Sequence, residues 1–440
     1  MRKTNIIALG FMTFSMFLGA GNVIFPPMIG QMAGHNTPIA GLGFIIGDVG
    51  LTLLGLIAIS LAGGADNLLQ DFPERVQKLF WVLLFIIIGP AFVIPRAAMV
   101  AYEIGFFPFV GANQWLFYSY IFGYLLLVMF LTLNPQKIVI TVGKWMTPAL
   151  LILLITIAVA TLVSPLGTVQ QARDAYQHQA FSEGLIQGYL TMDALGALGF
   201  GWILAVTIRS MGVSSKRSVA FYIAIAGVLA AIGMIIVYSA MLYLGATSNT
   251  ISPNASNGGH ILTAYVSGLF GKFGLIILAG VISLACMTTC IGVAAAGAEY
   301  FHKVRPKISY GRYVVFISIC SAIISTIGLN KLIGITLPVI VGFYPVTIAV
   351  IATAILRRWL TNPKKVNYIV CSTALCFGVI DGINATGWLP KDVVTWLSHH
   401  LPLFDQGMGW ITPGLVALLG AIICTELKVR SSFATSSRHS

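Results

Sequence analysis

Long apolar stretches separated by short polar ones run through this chain from end to end. Twelve are long enough to cross a bilayer as helices, at about 20 residues per crossing. They cover residues 5–32, 38–62, 77–103, 114–133, 136–163, 186–209, 218–245, 272–300, 312–329, 331–356, 366–386 and 409–427. Two of them are interrupted. The first carries LGAGNVIFPP at 18–27. Gly19 and Gly21 cost helix stability, and Pro26 and Pro27 each lack an N–H donor. The sixth reads GYLTMDALGALGFGW from Gly188 to Trp202, with four glycines and the acid Asp193 at membrane depth.

In hydrocarbon a backbone group freed from its helix must find a partner or face a cavity. A broken span is therefore a candidate site, with carbonyls for a cation and N–H groups for an anion. A kinked packing helix is the alternative, since Gly and Pro are common in membrane spans. The two broken spans lie five apart. Five is odd, so they enter the membrane from opposite sides, as in inverted five-helix repeats. The expected division is residues 1–163 and 164–356 as the two repeats, and 357–440 as two added helices with a tail.

Composition supports a polytopic membrane protein: 58% hydrophobic and 9% charged residues, with a mean hydropathy of +0.92. A net charge of +12 invites a nucleic-acid reading, but the placement of the charge argues against it. Twenty Lys and Arg residues fall at the termini and in alternate loops, among them Arg2, Lys3, Arg209, Arg305 and Arg357. Four (Arg173, Lys272, Lys331, Lys391) fall on the other side, and Arg96 alone lies inside a span. That bias puts both termini in the cytoplasm and the basic face against anionic lipid. The six cysteines lie in apolar stretches and read as small hydrophobes. The N-terminus mimics a signal peptide, but its apolar run continues past Gly21 without a clear cleavage site. Segments 164–185, 246–262 and 387–408 read as polar outer loops; Asn254–Ala255–Ser256 is a chance-level acceptor motif, and His399–His400 reads as solvated.

Ionisable groups inside spans are functional candidates. Asp193 can ligate a cation, take a proton or face a substrate ammonium; capping the broken helix is its structural alternative. Asp48 lies among Gly47 and Gly50 and can cap or bridge neighbours. Arg96 and Glu103 share a helical face seven residues apart, too far for contact; Arg96 pairs elsewhere or gates. Glu299 and Asp381 sit near span ends and are expected at the interface, and Pro338 and Pro345 mark a kink in the tenth span. Paired catalytic aspartates, a His-Glu-x-x-His helix, a phosphate-cradling loop and repeated filter elements are all missing from the sequence. An enzyme, a nucleotide-driven pump and a channel are disfavoured accordingly.

Three long motifs carry a resemblance: ALGFMTFSMFLGAGNVIFPP at 8–27, GPAFVIPRAAMVAYEIG at 89–105 and GYLTMDALGALGFG at 188–201. They resemble bacterial branched-chain amino acid carriers of the BrnQ type, over nearly the whole chain. The resemblance implies an all-α membrane fold of the leucine-transporter type, with twelve spans, helices 1 and 6 unwound and two helices added. It implies a symporter of the bacterial cytoplasmic membrane that takes leucine, isoleucine or valine with Na+ by alternating access. A proton carried by Asp193 is the alternative. No nucleic acid and no obligatory protein partner are implied; the bilayer is the medium.

Gly19–Ala20–Gly21–Asn22 further resembles the small-x-Gly-Asn element of sodium-coupled neurotransmitter transporters. Registering on it implies a sodium ion held by the carbonyls of Ser15 and Leu18. The ACMTTC run of the eighth span adds the Ala285 carbonyl and the Thr288 and Thr289 hydroxyls. Hard cations take several oxygen ligands. Each threonine can instead bond back to its own helix. The N–H groups of Ala20 and Gly21 would take the substrate carboxylate. Asn22 is placed in the same substrate site. The carbonyls of Phe17 and of the break near Thr191 would take the ammonium, with Asp193 beside it. Phe17, Met192 and Leu195 would wall the side chain. A methylene there is worth only about 1–3 kcal/mol, so leucine, isoleucine and valine should be poorly distinguished.

Overall fold

The computed structural model describes residues 2–111, 113–134, 137–253 and 255–436, and every regular element among them is a helix. Asn254 of the acceptor motif and Arg438 of the tail lie outside the described residues. The chain runs α1 (Lys3–Phe17), α2 (Ala20–Ala33), α3 (Thr37–Ile45), α4 (Leu51–Leu61), α5 (Glu74–Ile86), α6 (Val93–Val100), α7 (Phe107–Val110), α8 (Gln114–Thr132) and α9 (Thr147–Val163). It continues with α10 (Ala180–Leu190), α11 (Asp193–Ser210), α12 (Lys216–Ala246), α13 (Gly258–Phe270), α14 (Lys272–Val304), α15 (Tyr310–Ser325), α16 (Leu329–Leu356), α17 (Pro363–Ala385), α18 (Lys391–His400) and α19 (Ile411–Ser436).

Each of the twelve apolar stretches is helical. Among the described residues, eight helices are by themselves long and apolar enough to cross a bilayer, and nine with the bent pair α10–α11. The shortfall from twelve has physical causes. The break leaves α1 with only 15 residues, α2 joins the next stretch in one continuous run Gly21–Leu61, and Tyr310–Ser325 and Ile411–Thr425 are short. Three segments expected as loops hold helix. Asn257 caps α13 by accepting the His260 N–H at 3.0 Å, α10 begins at Ala180, and α18 fills part of 387–408.

Packing divides the chain into two compact units, Met1–Leu56 with Leu83–Leu332, and Ile57–Val82 with Ile333–Ser440. This is a division by contact, not by repeat. In the first unit small residues let backbones touch. A Cβ on Gly184 would lie 1.9 Å from the Ala40 carbonyl, and one on Gly43 2.1 Å from the Phe181 carbonyl. One turn further on, Gly47 and Gly188 allow the same approach. These glycines clamp α3 to α10 and bring Asp48 to Thr191. On the other side of α2, Gly245 of α12 lies against the Pro27 carbonyl.

In the second unit α16 runs unbroken through both Pro338 and Pro345. Gly378 and Gly382 of α17 lie against Pro345 and the Pro338 carbonyl, so both prolines sit in a tight helix–helix contact. Asp381, near the end of α17, is buried within the protein and accepts the Trp410 N–H at 3.3 Å. Asp71 accepts from both Arg357 and Asn367.

Candidate functional site

The first span breaks at Leu18–Gly19, not at the prolines: α2 starts at Ala20 and continues through Pro26 and Pro27. Leu18 leaves helical geometry at ψ 69° and Gly19 is extended at φ −89°, ψ −170°. The Gly19 N–H donates to the Phe17 carbonyl at 2.6 Å instead of reaching back to Ser15. The Ser15 carbonyl is thereby released from its helix. Gly19 offers no side-chain cap, so the first N–H groups of α2, those of Ala20 and Gly21 included, lack intrahelical acceptors.

The second break falls at Thr191–Met192, where the chain bends by 45°. No glycine makes it. Met192 itself takes the left-handed conformation, at φ 61° and ψ 25°, which costs a side-chain-bearing residue of order 1–3 kcal/mol. Gly188, expected as a breaker, serves the close contact with α3 instead. Asp193 opens α11, where the helix dipole favours a negative charge.

Two threonines of α14 reach the first break. The Thr288 hydroxyl lies 2.7 Å from the Ser15 carbonyl and 2.9 Å from the Ala285 carbonyl. The Thr289 hydroxyl lies 2.9 Å from the Met16 carbonyl and 3.2 Å from that of Ala285. Neither donates to the Leu18 carbonyl. Three carbonyls thus crowd two hydroxyls, each with one proton to give. The cluster is rich in oxygen and poor in donors, which is the composition a hard cation requires. The Ser15 hydroxyl turns away, accepting from Thr147 at the start of α9 at 2.8 Å. Residues 15, 285, 288 and 289 are therefore brought together. Met16 was not foreseen, because sequence cannot show which carbonyl a break will release.

A second polar cluster lies between the two breaks. Asn22, in the first turn of α2, donates its side-chain amide to Asp193 and, at 2.6 Å, to the Tyr238 hydroxyl of α12, with Asp48 at 3.4 Å. The Thr191 hydroxyl lies 2.9 Å from an Asp48 carboxylate oxygen and 2.7 Å from the Gly188 carbonyl, two acceptors for its one proton. Asp48 is buried within a π-helical turn, Ile46–Gly50. Such turns often mark functional sites. Asp48, Asn22, Thr191, Asp193 and Tyr238 form one network, again with more acceptors than protons. Sequence pointed to four of them. Tyr238 was missed, though a phenol deep in a 31-residue apolar helix needs a partner.

Phe17 is buried edge-on against Phe200, with ring centroids 5.0 Å apart. Gly196 lies beside both rings. Leu195 is buried and Met192 half-buried. Sequence did not single out Phe200, which packs on Phe17. Arg96 approaches from α6, behind a break at Gly89–Phe92 in the third stretch. Its Nη2 lies 2.9 Å from where a Cβ on Gly21 would sit. Glu103, exposed in a later turn, does not meet it.

Two broken spans beside buried polar clusters, among long apolar helices that make up every regular element of the described residues, point to a membrane transporter. The chain belongs to the branched-chain amino acid transport protein family, whose model matches residues 2–428. It is a transporter family, not an enzyme family. The chain is 42% identical over 427 residues to the branched-chain amino acid transport system 2 carrier protein of Pseudomonas aeruginosa, covering 96% of each chain. It is 38% identical over 440 residues to the branched-chain amino acid permease BrnQ of Escherichia coli, covering 100% of this chain and 99% of that one. It is also 38% identical over 427 residues to the permease BraB of Bacillus subtilis, covering 95% of each.

Among solved structures the fold is shared with a Na+-coupled sialic acid symporter, at TM-score 0.59 and 15% identity over 96% of this chain and 89% of that one. It is shared with MhsT in complex with L-phenylalanine, at TM-score 0.54 and 17% identity over 95% and 98%. Mhp1, a nucleobase-cation-symport-1 family transporter, matches at TM-score 0.53 and 13% identity over 97% and 93%. The fold is therefore of the leucine-transporter type.

Proposed function

We propose that this chain is a secondary symporter that imports leucine, isoleucine or valine together with Na+ by alternating access. The names of its full-length relatives support the substrate class. The observation that carries the ion is the donor-poor oxygen cluster of Ser15, Met16, Ala285, Thr288 and Thr289. These groups bind a cation without a fixed charge, so it can be released. Leu18, at the break itself, is assigned to the same ion. The substrate lies between the breaks. The N–H groups of Ala20 and Gly21 take its carboxylate; the carbonyls of Phe17 and Thr191, with Asp193, take its ammonium. Asn22 holds Asp193 in place, and Phe17 and Met192 wall the side chain.

Repeats at 1–163 and 164–356 would rock around this fixed site, with 357–440 outside the motion. Both termini lie in the cytoplasm of a bacterium, and the protein spans its inner membrane. A proton as coupling ion is a second reading, favoured by the network joining Asp48 and Asp193 through Asn22. Labelled leucine uptake into proteoliposomes at fixed pH separates the two. An inward Na+ gradient should drive accumulation, and replacing Na+ with choline should stop it. Accumulation that persists in choline and follows an imposed pH gradient would assign the coupling to the proton.

A further inference from the structure

Arg96 has no role in the site described so far. It is a cation within a membrane span, where an uncompensated charge is costly and usually functional. No carboxylate of the described residues comes within 4 Å of its guanidinium. The Phe92 ring lies 5.3 Å from its Cζ, and Gly21 makes room for Nη2.

The contact with Gly21 matters most. Any side chain at position 21 would push the guanidinium off the start of α2. The absent Cβ thus places a positive charge beside backbone N–H groups that have no helical acceptors. Two features that each attract an anion occupy one spot. Asp193 stands close by, held by Asn22, the residue that follows Gly21. A zwitterion inserted between them would give each charge a partner.

We infer that Arg96 is the counter-ion of the transported amino acid's carboxylate, bound together with the N–H groups at the start of α2, while Asp193 faces the ammonium. The inference rests on the symporter reading above and adds the residue that selects α-amino acids over amines and amides. Charge-assisted hydrogen bonds from a guanidinium to a carboxylate are about twice as strong as neutral ones.

The test measures competition against labelled leucine binding to the purified full-length protein, with leucine and leucinamide as competitors. Leucinamide keeps the ammonium and the aliphatic tail but lacks the carboxylate. In wild type, leucine should compete about tenfold better than leucinamide, the discrimination expected of one charged hydrogen bond. In Arg96→Gln, leucine should weaken several-fold so that the leucine-to-leucinamide ratio falls toward one, while leucinamide stays where it was. Arg96→Lys keeps the charge without the fork and should give an intermediate ratio.

A wild-type leucine-to-leucinamide ratio in Arg96→Gln overturns the proposal, whether or not overall affinity falls, because a purely structural arginine would weaken both ligands together. If Arg96→Gln does not fold, an unchanged ratio in Arg96→Lys overturns it instead. Wild-type protein that ignores leucine but binds another amino acid overturns the branched-chain reading alone. The acid-to-amide ratio for that amino acid then decides on Arg96.

Discussion

A hydroxyl has one proton, and Thr288 and Thr289 each have two carbonyls competing for it. That imbalance is the residue-scale ground on which a cation is proposed here. Thr289→Ala deletes one oxygen without touching the backbone. It should raise the Na+ concentration for half-maximal leucine uptake about tenfold, equivalent to ~1.4 kcal/mol of lost ligation. Unchanged sodium activation at normal membrane abundance would remove Thr289 from the site. Asp193 stands where the network from Asp48 and Tyr238 meets the second break. Asp193→Asn should abolish uptake or change its cation dependence. Wild-type kinetics across pH would make Asp193 a helix-capping acid only. At this scale the sequence revealed what is unusual by type: an acid in a span, a threonine pair, an arginine. It did not reveal Tyr238 or Phe200, which resemble dozens of other apolar-helix aromatics until packing selects them.

At the scale of elements, the two breaks have different physical origins. The first was legible because Gly19 and Gly21 sit where a helix is weakest, yet the prolines that strengthened the reading lie inside α2. The second is made by Met192 in a left-handed conformation, and no propensity predicts that. Neither could the π-helical turn around Asp48 be read from sequence, since it depends on how α3 meets α10. The meeting itself depends on glycines without room for a side chain. Gly184→Leu would drive carbon into the Ala40 carbonyl. It should lower stability by about 3 kcal/mol or more, seen as a fall in the melting temperature of the detergent-purified protein. Gly123→Ala is the control: nothing lies within 4 Å of the added methyl, in the middle of α8. It should leave stability unchanged or raise it by up to about 1 kcal/mol. Equal losses at both positions would mean that the α3–α10 contact is not the constraint described.

For the whole molecule, hydropathy and charge carried most of the information. Twelve apolar stretches became helices, and their loops sort twenty basic residues from four. Reporter fusions after residues 2 and 436 should both report cytoplasmic ends; a periplasmic signal from either would reverse the orientation. Family membership covers residues 2–428, which include both helix breaks. The central claim is that the breaks hold ion and amino acid as one site. Linkage tests it without any gradient. Leucine affinity of the purified protein is measured while Na+ is titrated against choline at constant ionic strength. The account predicts that leucine tightens as Na+ rises, and that leucine in turn lowers the Na+ needed for half-saturation by the same factor. A leucine affinity that stays flat across the titration would contradict it.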